Sequence, residues 1–74
     1  MGPVNISKLK GKLTELGMNV SSLGEKMGYD KSSIYRRFKD GGASMSIADV
    51  NNIIKILGLS QEEAVSIFFS AFVA

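Results

Sequence analysis

Apolar residues recur every three or four positions along this chain of 74 residues, a spacing that is typical of amphipathic helices. The first stripe consists of Ile6, Leu9, Leu13 and Leu16, and Gly17 follows it where a helix often ends. No segment convincingly alternates apolar and polar residues as a half-buried strand does. The pattern therefore predicts one all-α domain over residues 1–74, with helices at about residues 6–16, 47–57 and 61–70 and two short ones within residues 19–39.

Two of these helices begin at a recognisable capping box, Ser46 with Asp49 and Ser60 with Glu63. The fourth helix is predicted to bury Val50, Ile54 and Leu57. Gly11 lies inside the first helix, where a glycine costs roughly 1 kcal/mol relative to alanine. We expect a close contact with another helix to explain its presence there.

Residues 19–39 contain two short helical patterns separated by a glycine. Asn19 is placed as the N-cap of the first helix. Gly28 ends it, because the sharp bend requires a residue that reaches a positive φ without steric cost. Asp30 is placed to cap the second helix, whose buried side includes Ile34. Gly24 lies one turn before Gly28, and its lack of a side chain indicates that the two helices cross there at close range. The segment therefore predicts a helix-turn-helix, a motif whose second helix projects outward as entry into a DNA major groove requires.

This segment resembles the helix-turn-helix of phage repressor and Cro proteins, the Xre-type family. The matching positions are Leu23, Gly24, Met27, Gly28 and Ile34, and the passage IIKILGLSQEEA at residues 53–64 resembles the family's last two helices and the turn between them. The resemblance covers roughly residues 6–69 and implies a compact five-helix bundle of the lambda-repressor-like type. The chain departs from the family at Arg37, where an apolar residue is usual, and we expect the adjacent Phe38 to take over the packing.

The net charge of +2 is unevenly distributed along the chain. Residues 1–39 carry eight basic and three acidic side chains, whereas residues 40–74 carry one basic and four acidic ones. A concentration of basic residues in one half is typical of a protein with a surface for a polyanion. Lys8, Lys10 and Lys12 alternate round the first helix, so for these three lysines a role in surface solubility is favoured over contact with DNA.

The family resemblance implies that the two residues after the cap of the second motif helix, and the residue a turn and a half later, contact DNA bases. In this chain these are Lys31, Ser32 and Arg36. Arginine bonds guanine O6 and N7 bidentately, lysine reaches the same acceptors, and serine pairs with several bases. The candidates for contact with the DNA backbone are Asn19, Ser33, Tyr35, Arg37, Lys39, Ser44 and the amides of residues 41–44. For Tyr35 the alternative is that it covers the edge of the core.

The composition argues against an enzyme, a cofactor or a metal site. The chain has no cysteine and no histidine, and so lacks thiolate ligands, the commonest general base and the commonest transition-metal ligand. No signal peptide is visible, and the longest apolar stretch, residues 64–74, is shorter than the ~20 residues that a membrane span requires. We therefore expect a cytoplasmic protein with no membrane or small-molecule partner, and the family resemblance implies that it is bacterial and nucleoid-associated.

The C-terminal run AVSIFFSAFVA offers more apolar surface than one helix can bury against a core. An exposed apolar patch usually marks a partner, and the family resemblance implies a dimer on a two-fold symmetric operator. The candidates for a homodimer interface are Val65, Phe69, Phe72 and Val73. The alternative is that the tail folds over the first helix and completes the core.

These features together predict a sequence-specific transcriptional regulator of the phage or prophage Cro/repressor type. It would bind a palindromic operator in double-stranded DNA through the helix that begins at Lys31. The alternative from a different class is a protein-interaction module of the antitoxin or anti-repressor type, which would use the apolar C-terminal segment. The fold alone does not decide between them, because function lies in the site and not in the architecture.

Overall fold

Five α-helices and no strand are found in residues 3–69, the part of the chain that the computed structural model describes. The helices are α1 (Ile6–Glu15), α2 (Val20–Met27), α3 (Lys31–Lys39), α4 (Ile47–Leu57) and α5 (Gln61–Phe68). The radius of gyration is 11.2 Å, close to the ~11 Å of a compact domain of this length. The predicted compact all-α fold with five helices is therefore confirmed for the described residues. None of their helices has the length and apolar character needed to cross a membrane.

A polar side chain caps the start of each of these helices. It accepts a hydrogen bond from a backbone amide of the first turn, and the capping residues are Asn5, Asn19, Asp30, Ser46 and Ser60. The four predicted caps, at Asn19, Asp30, Ser46 and Ser60, are confirmed. Because a cap satisfies amides only three residues away, short-range sequence spacing is enough to define these helix starts.

The core is built from one face of every helix. Its most completely buried side chains are Leu9, Leu13, Leu23, Ile34 and Ile53, and α5 adds Ile67 and Phe68. The prediction that Leu16 continues the buried stripe of α1 is wrong, since 44% of this residue is exposed. The reason is local: α1 ends at Glu15, Leu16 is its C-cap, and the chain turns away at Gly17.

α4 is rotated relative to its predicted orientation. Ile53, which the predicted stripe omitted, is fully buried, and Leu57 is buried as predicted. Val50 and Ile54, by contrast, are only partly buried. Apolar residues lie nearly all round this helix, so its periodicity does not define a single inward face.

Two glycines inside helices have opposite surroundings. A Cβ built on Gly24 would lie 2.6 Å from Cγ2 of Ile34, which confirms the predicted close crossing of α2 and α3. A Cβ built on Gly11 would have nothing within 4 Å, so the predicted close contact at Gly11 is wrong. Gly11 lies about 200° round α1 from Leu9, which places it on the outward side of the helix.

The residues before α1 hold two distant parts of the chain together. The amide of Val4 donates to the carbonyl of Gly41 at 3.1 Å, and that of Asn5 donates to the carbonyl of Ile67 at 2.7 Å. Val4 is buried, and its side chain occupies the space that a Cβ on Gly42 would need. The start of the chain therefore fixes both the α3–α4 loop and the end of α5.

Candidate nucleic-acid interface

α3 is an amphipathic helix with one buried and one basic, solvent-facing side. Ile34 and Phe38 are buried on the inner side, so the predicted packing role of Phe38 is confirmed. The exposed residues of α3 include the three predicted base-contact candidates and two of the predicted backbone candidates: Lys31, Ser32, Tyr35, Arg36 and Lys39. Tyr35 is 48% exposed, so it covers the core only in part.

The first turn of α3 is held by Asp30. Its Oδ1 accepts a hydrogen bond from the amide of Ser33 at 2.8 Å and another from the hydroxyl of Ser32 at 3.2 Å. The bond from the Ser33 amide is the main cause that lowers the pKa of the Asp30 carboxyl, and the bonds from the hydroxyls add to it. The carboxylate is therefore charged at neutral pH, and it fixes the conformation of the turn that carries Lys31 and Ser32.

A groove of about 570 Å³ runs between α1 and α3 and is called here the α1–α3 groove. Val20 and Phe38 form apolar parts of its lining. The remaining lining residues are polar or charged: Lys10 from α1, and Ser32, Tyr35, Arg36 and Lys39 from α3. The groove thus joins a basic residue of the first helix to the exposed face of the third.

The basic residues of this surface have no acidic partners among residues 3–69. In that range the ion pairs are Lys12 with Glu15, Lys12 with Glu63, and Arg37 with Asp49. Four other basic side chains that lie on or beside the groove form no ion pair there, namely Lys10, Lys31, Arg36 and Lys39, although the charge of Arg36 is one of the causes that lower the pKa of the nearby Asp30. The result is a concentrated positive charge on one side of the molecule.

Two of the three lysines of α1 contact α5, and the third lines the α1–α3 groove. Lys12 Nζ lies 2.6 Å from Glu63 Oε2, and this hydrogen bond is the main cause that lowers the pKa of Glu63 to about 2. Lys8 donates a hydrogen bond to the hydroxyl of Ser66 on α5. Lys10 alone faces the α1–α3 groove. Sequence reasoning missed this difference, although Lys8 and Lys10 lie about 100° to either side of Leu9.

Arg37 differs from the other basic residues of α3 because it turns toward α4. Its Nε lies 3.3 Å from Asp49 Oδ2, and one terminal nitrogen donates to the carbonyl of Ser33 at 3.1 Å. The guanidinium lies over the ring of Tyr29, 4.1 Å from its centroid, and the side chain is only 17% exposed. Arg37 therefore helps to hold α3 against α4, a role that its position in the sequence did not indicate.

Asp49 is a buried charged residue at the centre of this contact, with 4% of its surface exposed. It accepts hydrogen bonds from the Tyr29 hydroxyl, the Arg37 guanidinium and the amide of Ser46. Burial by itself would raise the pKa of Asp49, but these hydrogen bonds outweigh it and hold the pKa below its ordinary value. The capping role was predicted from spacing, whereas the contacts with Tyr29 and Arg37 arise only in the folded chain.

Two of the predicted backbone candidates lie at loop or helix ends. The Asn19 side chain accepts from the amide of Ser22 at 2.8 Å, and the Ser44 hydroxyl donates to Asp40. The prediction for the amides of residues 41–44 needs correction, because three of them donate to carbonyls in the last turn of α3 or at its C-cap. The amides of Gly41, Gly42 and Ala43 bond the carbonyls of Phe38, Arg37 and Asp40 at 3.2, 2.9 and 3.4 Å.

A second surface, called here the apolar patch, lies where the start of α4 meets the end of α5. Ile47 is 82% exposed and Phe69 is 46% exposed, and a cavity of about 230 Å³ beside them is lined in part by Met45, Val50 and Ile54. Phe69 is a predicted interface residue, whereas Ile47 was missed. Val65 is half-buried, and the predicted Phe72 and Val73 lie outside the described residues.

Comparisons with protein families, with curated proteins and with solved structures found no match to this chain. A functional assignment must therefore rest on the geometry and charge of the residues described above.

Proposed function

We propose that this protein is a sequence-specific DNA-binding transcriptional regulator of the phage or prophage Cro/repressor type. In this proposal α2 and α3 form a lambda-repressor-like helix-turn-helix, and α3 binds operator DNA. The observation that carries the proposal is the exposed basic face of α3, whose Lys31, Arg36 and Lys39 have no acidic partner among residues 3–69. Charge of this kind on one face of a helix is the electrostatic footprint of a nucleic-acid site.

The dimensions of α3 suit this role. A helix with its side chains is about 10–12 Å across, and the major groove of B-DNA is about 12 Å wide. With Ile34 and Phe38 turned inward, the opposite side of α3 is free to meet base edges. In this proposal Arg36 bonds a guanine bidentately, while Lys31 and Ser32 contact neighbouring bases from the first turn.

Contacts with phosphates would set the register of the protein on the duplex. Lys39 supplies a charge at the end of α3, and Asn19, Ser33, Tyr35 and Ser44 supply polar groups around it. Such contacts carry no sequence information but contribute most of the salt-dependent affinity. Arg37 is paired with Asp49, which largely cancels its charge, so it would contribute less to phosphate binding than Lys39.

The proposal includes a homodimer that binds a palindromic operator. The apolar patch supports this part, because exposed residues such as Ile47 and Phe69 lose contact with water when a second copy covers them. A two-fold dimer would present two α3 helices to successive major grooves about 34 Å apart. The second copy then doubles the number of base contacts without any change in α3.

Selection from a pool of random-sequence duplex DNA tests the proposal directly. The protein should enrich a short two-fold symmetric sequence, and fluorescence anisotropy should show tighter binding to it than to a shuffled duplex. Lys55→Ala serves as a control, because Lys55 is exposed and lies on α4, outside the proposed surface. If no sequence is enriched and binding is equal on both duplexes, sequence-specific regulation is refuted.

The apolar patch also supports a second candidate function, a protein-interaction module of the antitoxin or anti-repressor type. In that case the patch would bind a different protein, and the basic face of α3 would not bind DNA sequence-specifically. The same selection discriminates the two functions, since an interaction module of this type enriches no operator.

A further inference from the structure

We propose that the α1–α3 groove holds a phosphate of the DNA backbone and that Lys10 is the residue of α1 that binds it. This inference rests on the proposed function and extends the DNA-contact surface beyond the helix-turn-helix of residues 19–39. The groove combines three basic side chains from two separate helices, Lys10 on α1 and Arg36 and Lys39 on α3. None of the three has a carboxylate partner in residues 3–69.

The location of the groove relates Lys10 to the expected path of DNA. A helix of about 10–12 Å nearly fills a major groove of about 12 Å, so the elements beside it meet the phosphate backbone that forms the groove's edge. Lys10 of α1 and Val20 at the start of α2 line the groove together with Arg36 and Lys39 of α3, and Lys10 is the basic residue from outside α3. A DNA strand that passes α3 would therefore place its phosphates next to Lys10.

The lining of the groove suits a phosphate group. The hydroxyl of Tyr35 provides a hydrogen-bond donor beside the basic side chains, whereas the hydroxyl of Ser32 donates to Asp30. Val20 and Phe38 supply the apolar part of the lining. Because the proposed function assigns Arg36 to a guanine, Lys10 and Lys39 are the two cations left for a phosphate, and a base edge presents no net negative charge to attract them.

Lys8 provides a matched control on the same helix. It lies two residues from Lys10 and has the same charge and helix propensity, but it faces α5 and donates to Ser66. Each substitution by alanine lowers the net charge by one unit. A difference between the two variants therefore reports the position of the charge and not its amount.

The experiment measures the dissociation constants of wild type, Lys10→Ala and Lys8→Ala on the selected duplex and on a shuffled one, from 50 to 200 mM salt. Loss of one phosphate contact should reduce the magnitude of the slope of log association constant against log salt concentration by about 0.9. Between 50 and 200 mM salt, the affinity of the variant should therefore fall by a factor about 3.5-fold smaller than that of wild type. Lys10→Ala should show this change on both duplexes, because a phosphate contact is independent of sequence. Lys8→Ala should keep the wild-type slope, and Lys10→Arg should restore it.

Equal slopes for Lys10→Ala and Lys8→Ala would overturn the inference, since they would show that only diffuse net charge matters. A Lys10→Ala effect confined to the selected duplex would also overturn it, because it would make Lys10 a base-reading residue. Failure of the proposed function appears differently: wild type would bind both duplexes equally, while Lys10→Ala would still reduce the slope. If wild type binds neither duplex, both proposals are refuted. Circular dichroism melting of each variant confirms that binding is compared between folded proteins.

Discussion

The same substitution, glycine to alanine, should stabilise this protein at one helical position and fail to stabilise it at another. Gly11 and Gly24 both lie inside helices, so an alanine at either should stabilise the helix by about 0.5–1 kcal/mol through its intrinsic propensity. At Gly11 this is the whole effect, because nothing lies within 4 Å of the added Cβ. We therefore expect Gly11→Ala to raise the free energy of unfolding by about 0.5–1 kcal/mol.

At Gly24 a steric cost opposes this gain. The added Cβ would lie 2.6 Å from Cγ2 and 2.9 Å from Cβ of Ile34, whereas carbon atoms in contact are normally about 3.5–4.0 Å apart. Ile34 is fully buried, and a β-branched side chain has few alternative rotamers, so α2 and α3 must move apart. Overpacking of this kind costs about 1–3 kcal/mol, which leaves Gly24→Ala neutral to destabilising by about 2 kcal/mol, and Gly24→Leu more so.

The assay is urea and thermal unfolding followed by circular dichroism at 222 nm. For a domain of this size, 1 kcal/mol corresponds to about 4–8 °C in melting temperature. The steric term is the difference between the two alanine variants, about 1–3 kcal/mol. If Gly24→Ala stabilises the protein as much as Gly11→Ala does, α2 and α3 do not cross at Gly24, and the close packing that orients α3 is refuted.

Three further predictions concern the basic face, the acid response and the apolar patch. Arg36→Ala should weaken binding to a selected duplex by about 1–3 kcal/mol in an anisotropy titration and leave binding to a shuffled duplex nearly unchanged; equal losses would make Arg36 a phosphate contact. The pKa of Glu63 is lowered from 4.5 to about 2, so its stabilising contribution is complete above pH 4.5 and is lost as the pH falls toward 2. The difference in melting temperature between wild type and Glu63→Gln should therefore shrink between pH 5 and pH 2, and a constant difference would contradict the role of the Lys12 contact. Ile47→Ser with Phe69→Ser should shift sedimentation toward monomer, whereas Leu16→Ser, at an exposed apolar position elsewhere on the chain, should not; a wild type that stays monomeric at high micromolar concentration would refute a dimer formed free in solution.

Local signals in the sequence determined where the helices begin. Asn19, Asp30, Ser46 and Ser60 each bond an amide three residues along the chain, so their effect does not depend on the rest of the fold. The close crossing at Gly24 was also predictable, because the short turn brings α2 and α3 together with little freedom. The sequence also indicated that Lys31, Ser32, Arg36 and Lys39 of α3 are exposed, but not that Arg37 turns toward α4.

Orientation about a helix axis was decided only by tertiary packing. α4 has apolar residues on nearly every side, so its pattern did not indicate that Ile53 would be buried while Ile47 remained exposed. The partners of charged side chains depend on packing in the same way. Arg37 pairs with a carboxylate 12 residues away and Lys12 with one 51 residues away.

The basic surface shows both kinds of information. Lys31, Arg36 and Lys39 follow from the helix-turn-helix pattern, since one helix carries them all. Lys10 joins them only because folding places it at the same groove, and the spacing of the α1 lysines does not indicate which neighbour each will face. A long, flexible, charged side chain can extend into solvent, form an ion pair or contact a ligand. Which of these it does depends on the residues that tertiary packing places beside it.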